Sequence, residues 1–173
     1  MSVEEELQES AEHAKQPFER NVALSMAVIA AVMAIVSVAG HILTTEELLN
    51  QQKASDQWAY SQAKDIRRYD SDVARDMLAA VSAGPAAINR YTANAERYEK
   101  EKGEIQNEAK KFEKERDVSG GRALRTHIGE VFLEIAIVLA SLAILTKRRP
   151  MWFASILSGL AGAAIAATAA LIH

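Results

Sequence analysis

Three apolar stretches, each about as long as a bilayer's hydrocarbon core is thick, constrain this chain more than any other feature. Val22–Gly40 runs nineteen residues and Met151–Ile172 twenty-two without an Asp, Glu, Lys or Arg. At about 1.5 Å of rise per residue, roughly twenty helical residues cross a hydrocarbon layer of about 30 Å. A third stretch, Ile128–Thr146, is interrupted by Glu130 and Glu134, but it keeps Val131-Phe132-Leu133 between them and the largely apolar Ile135–Leu145 after them. The chain therefore reads as an all-α integral membrane protein with transmembrane helices over 21–43, 128–146 and 151–172. The average composition, 49% hydrophobic and 25% charged, hides this segregation because it resembles that of a soluble domain.

The first stretch reads as a retained anchor. Ahead of it lie Glu4, Glu5, Glu6, Glu9, Glu12 and Glu19 against only Lys15 and Arg20, the reverse of a signal peptide's basic start. Residues 1–20 form an acidic segment with Val3, Leu7, Ala11, Ala14 and Phe18 on one face of a short helix, read as a solvated tail. Cysteine is absent, which excludes disulfides, thiolate nucleophiles and Cys-based metal sites.

Between the first and second spans lie residues 44–127, with fifteen acids balanced by fifteen bases. They read as a soluble helical hairpin with arms over about 45–82 and 86–117. Thr44 and Glu47 have capping-box spacing at its start, and Gly84-Pro85 supplies the turn. On the first arm the apolar series runs Trp58, Gln62, Ile66, Tyr69, Val73, Met77, Ala80, the face expected to be buried. On the second, Ile88, Tyr91, Ala95, Tyr98, Lys102, Ile105, Ala109 and Phe112 alternate steps of three and four, the signature of a coiled coil. A single seam leaves too few apolar residues for a pocketed core, so no catalytic site is expected. Gly120-Gly121 within 118–122 reads as a hinge back to the membrane.

Lys147, Arg148 and Arg149 crowd the loop 147–150, and short basic loops stay in the cytoplasm. That puts the N-terminus on the cytoplasmic side of a bacterial inner membrane and the hairpin on the other. The third span carries two rows of small residues, Ser155, Gly159, Ala163, Ala167 and Ser158, Gly162, Ala166, Ala170. Such rows let helix backbones approach closely, so they are expected to join copies in a homo-oligomer, or to seat an unidentified protein partner.

His127, Glu130 and Glu134 share one helix face, with Glu130 about 7 Å and Glu134 about 13 Å beyond Arg125 along the axis. His41 and His173 belong to the same boundary. Four readings fit this band. Glu130 snorkels or pairs with Arg122 or Arg125 while Glu134 is a contact between helices; the glutamates of several subunits line a cation path; His41 and the carboxyls relay protons; or they bind a divalent metal. The last lacks a specific ligand motif. There is no Walker loop, dinucleotide fingerprint or nucleophile elbow, and the bases, interleaved with acids, make no field for nucleic acid.

Lys53-Ala54-Ser55-Asp56-Gln57-Trp58-Ala59-Tyr60-Ser61-Gln62-Ala63-Lys64 resembles a motif of a bacterial membrane family called domain of unknown function 4337, as does Pro17-Phe18-Glu19-Arg20-Asn21-Val22-Ala23-Leu24. The resemblance implies the order of one span, a charged helical module and two paired spans, and a bacterial origin; it implies no activity, cofactor or site residue. Within the motif, Trp58 either packs inside the hairpin or, with Tyr60, anchors an oligomer contact. The expected function is non-enzymatic assembly or scaffolding, with a homo-oligomeric cation or proton channel lined by Glu130, Glu134, His41 and His127 as the alternative.

Overall fold

The computed structural model describes residues 17–172 and is helical there apart from two short turns and the last residue. The expected N-terminal amphipathic helix and His173 lie outside the described residues. Helix α1 is Pro17–Ala80, α2 is Pro85–Thr146 and α3 is Arg149–Ala167, closed by a 3-10 turn over Thr168–Leu171. Each of the three contains a stretch long and apolar enough to cross a membrane. The described residues form two compact units, one of residues up to Thr44 together with those from Gly120, the other Thr45–Ser119.

In the first unit α3 packs against α2 through small residues. Gly129 and Gly162 meet backbone to backbone: a Cβ on Gly129 would stand 2.6 Å from the Gly162 oxygen, and one on Gly162 2.6 Å from the Gly129 oxygen. Thr126, Gly129, Leu133, Ala136, Ala140 and Ala143 continue this seam on α2, buried at steps of three and four. Ser155, Gly159 and Gly162 are its buried counterparts on α3. Hydroxyls reinforce it, Ser155 donating to the Ala136 carbonyl at 2.7 Å and Ser158 to that of Phe132 at 2.8 Å. The α3 residues expected to join copies are thus spent largely within the chain. Ala166 lies against Gly129, and Gly159 lies against Ile29 of α1 and Ala136.

At the end of the unit that carries the α2–α3 turn, Val22 is buried against Ala140 and Ala143, with Phe18, Met26, Met151 and Trp152 around them. Phe18 meets Trp152 edge-on at 5.8 Å, and the Trp152 indole donates to the Ser25 hydroxyl at 3.1 Å. Glu19 and Lys147 pair at 3.4 Å. The turn between α2 and α3 is shorter than the basic loop predicts, because Arg149 and Pro150 are already helical and only Lys147, at φ 54°, and Arg148 lie between.

Three local expectations fail for identifiable reasons. Thr44 caps no helix start; α1 continues through it, and its hydroxyl bonds the His127 ring at 3.1 Å. Gly120 and Gly121 form no hinge but are helical within α2. The first helix ends one step earlier than Gly84-Pro85, in a Schellman arrangement with Ala83 N–H on the Leu78 carbonyl at 2.9 Å and Ser82 N–H on that of Ala79 at 3.1 Å. Ser82, not Gly84, takes the left-handed backbone, at φ 54°.

These contacts separate glycines that matter from one that does not. Gly129→Val drives a side chain into the α3 backbone and should cost about 1–3 kcal/mol or more, the range for overpacking. Gly84→Ala meets nothing within 4 Å and should leave stability unchanged. Thermal unfolding of both variants in detergent, followed by circular dichroism, checks the contrast.

Candidate functional site

Polar side chains gather where α1 and α2 face each other in the first unit. Gly40 lets the His127 ring lie close to α1, since a Cβ there would come within 3.3 Å of the ring. From that position Nε2 of His127 meets the Thr44 hydroxyl at 3.1 Å and Nδ1 meets a Glu130 oxygen at 3.3 Å. A neutral ring satisfies both by donating from Nδ1 to the carboxylate and accepting at Nε2 from the hydroxyl. The Ser37 hydroxyl also bonds Glu130, and His41 acts on the same carboxylate electrostatically. Glu130 is therefore held between helices by His127 and Ser37. It does not pair with Arg122 or Arg125, because Arg122 grips the Ile172 carbonyl at 2.9 and 2.7 Å and Arg125 reaches the Thr168 hydroxyl at 3.2 Å.

Glu134, one turn further into the apolar stretch, is different. It is exposed on the outer face of the unit, beside exposed Val131, Ile135 and Val138, and it makes no hydrogen bond or ion pair among the described residues. The predicted polar band thus divides into a satisfied cluster of Ser37, Thr44, His127 and Glu130, with His41 at its edge, and a lone outward carboxyl. Among the described residues no group of three His, Asp or Glu is placed to hold a metal ion.

In the second unit the two helix segments run antiparallel. Trp58 donates to Glu113 at 2.9 Å, Lys64 to Glu101 at 2.6 Å, Lys102 to Asp65 at 2.9 Å and Arg116 to Gln51 at 2.7 Å. Trp58 is thereby engaged within the chain, whereas Tyr60 stays 51% exposed. On the α2 segment the expected face turns inward, with Ala95, Ile105 and Ala109 buried. On the α1 segment the expectation is reversed. The inward positions are Ala54, Ser61 and Ser71 with the stems of Lys64 and Arg68, while Ile66, Tyr69, Val73 and Met77 point outward at 52–67% exposure.

Ion pairs make that polar seam workable. Arg68 touches Asp65, Asp72 and Glu99 at 3.0–3.2 Å, and the Lys64 ammonium lies within 5.7 Å of the Tyr60 and Tyr98 ring centres. The Lys102 ammonium, helped by Arg68, holds the Asp65 carboxyl below its ordinary 3.8, and Lys64 holds Glu101 below its ordinary 4.5. In return Glu101 raises Lys64, and Asp65 raises Lys102, above the ordinary 10.5. The lysine at an inward position is thus answered by a partner that the spacing of its own helix did not reveal.

A pH dependence follows. Depressed carboxyl values contribute stability that is present above the ordinary carboxylate range and lost as pH falls through the folded values; raised lysine values contribute below 10.5 and lose it as pH rises through theirs. Unfolding of the second unit in the full chain, monitored by Trp58 fluorescence with Trp152 replaced by Phe, should be most resistant between about pH 5 and pH 10. Lys102→Met should flatten the acid limb.

No curated protein and no solved structure matches this chain. The model of one family matches residues 18–172, which contain both units, all three membrane-compatible helices, the polar cluster and the ion-paired seam. The chain belongs to the family described as domain of unknown function, DUF4337.

Proposed function

We propose that this chain is a non-enzymatic, homo-oligomeric scaffold of the bacterial inner membrane. Its first unit is the three-span anchor, and its second is a coiled-coil hairpin outside the bilayer. The basic turn at Lys147–Arg149 keeps the N-terminus cytoplasmic and the hairpin on the opposite side. One observation supports assembly through the hairpin above the others, the outward row of Ile66, Tyr69, Val73 and Met77. A helix with ions on its inner face and an aliphatic and aromatic row on its outer one leaves that row for another surface. Copies in one bilayer share an orientation, so a contact about a two-fold axis running along the row brings each of these residues near its own equivalent.

The absence of cysteine makes the test clean. Single variants Ile66→Cys, Val73→Cys and Met77→Cys should each form covalent dimers in membranes with a short thiol crosslinker, and Glu104→Cys, on another exposed surface, should not. Crosslinking at Glu104 alone, or a monomer by native mass spectrometry, would reject assembly through this row.

Glu134 favours a second reading. A carboxyl facing outward from an apolar stretch needs water, a proton or another helix, and in an oligomer several copies meet around a path for cations. Cation currents in planar bilayers that Glu134→Gln abolishes would replace the scaffold with a channel; a silent oligomer reconstituted at high density would remove the channel.

A further inference from the structure

Two apolar grooves flank the closing turn of α3, and each has an arginine in its lining. One, of about 440 Å³, lies between α1 and α3, with Val32, Ile35, Ala39 and Leu43 on one wall, Ala163 and Ala170 on the other, and Arg122 at the end. From Val32 to Leu43 the α1 wall climbs about 16 Å at 1.5 Å per residue, close to the depth of one leaflet. The other groove lies between α2 and the end of α3, with Gly121, Leu124 and Ile128 facing Ala164, Ile165 and Ile172 and with Arg125 part-way along its α2 wall. Arg122 and Arg125 are three residues apart on α2, hence neighbours on its surface. Neither makes a salt bridge among the described residues; two of Arg122's N–H groups go to one carbonyl and one of Arg125's to a hydroxyl. Most of their five donors each remain, in the planar array that suits phosphate oxygens.

We propose that this end of the first unit binds one anionic diacyl phospholipid, its headgroup phosphate on Arg122 and Arg125 and its two tails in the grooves on either side of α3. The inference rests on the membrane location proposed above. Charge selects the occupant. A zwitterionic lipid offers the same phosphate beside a cation that the two arginines repel, whereas a lipid with net negative charge gains from both. An additional helix could lie along either groove, but it would leave the paired guanidinium groups unanswered.

The test uses the full chain, equilibrated in nanodiscs of equal phosphatidylglycerol and phosphatidylcholine and then released into detergent for native mass spectrometry. One phosphatidylglycerol per chain should be retained, at least about tenfold over phosphatidylcholine. Arg122→Gln with Arg125→Gln should abolish that preference. Ala39→Phe, which fills one groove and leaves both arginines, should lower retention, and Arg148→Gln with Arg149→Gln should not. Because Arg122 also holds the Ile172 carbonyl, Arg125→Gln alone is the control for folding, and it should give a partial loss of the same sign. Equal retention of the two lipids, or a loss that follows Arg148 and Arg149 instead, would overturn the site. Failure of the chain to float with liposomes would overturn the membrane location itself, a separate result.

Discussion

The first unit depends on the contact between Gly129 and Gly162, where two helices touch through their backbones. In the bilayer proposed for this unit there is little hydrophobic gain for bringing helices together, so close van der Waals approach and interhelical hydrogen bonds supply the stability. The small seam around the two glycines creates that approach from Thr126 to Ala143 of α2. Without it Ser155 and Ser158 would not reach carbonyls on α2, and the closing turn of α3 would not come within range of Arg122 and Arg125.

The second unit solves the opposite problem. Charged side chains occupy the seam between its helices because each meets an opposite charge and its aliphatic stem still covers apolar surface. Small residues Ala54, Ser61 and Ser71 allow the close approach, and the larger apolar residues of that helix are displaced to the outside. Such a seam sets register more strictly than a greasy one, since a slipped pairing would leave Lys64 or Lys102 opposite the wrong partner.

The membrane-length helices were legible because length and scarcity of charge suffice to identify them, even with two glutamates in the second, and the second arm was legible because Ala95, Ile105 and Ala109 recur at helical spacing on a face that is in fact buried. The first arm was misread for a physical reason. Periodicity reports that a helix has two faces, but it does not say which is inward when ion pairs can outcompete aliphatic contact. The paired rows on α3 were visible, yet their partner was not, because Gly129 is one small residue between His127 and Glu130 and gains meaning only beside Gly162. Glu130 and Glu134 look alike in sequence; their difference depends on Ser37 and His127 reaching one and nothing among the described residues reaching the other.

The indole of Trp152 bonds Ser25, whose hydroxyl in turn donates to the Val22 carbonyl. Trp152 belongs to α3 and Ser25 to α1, with the whole of α2 between them along the chain. The first unit therefore cannot close until α3 has been made, because without it Gly129 has no Gly162 to meet. Closure of the first unit is thus timed by α3, whose side chains bond both α1 and α2.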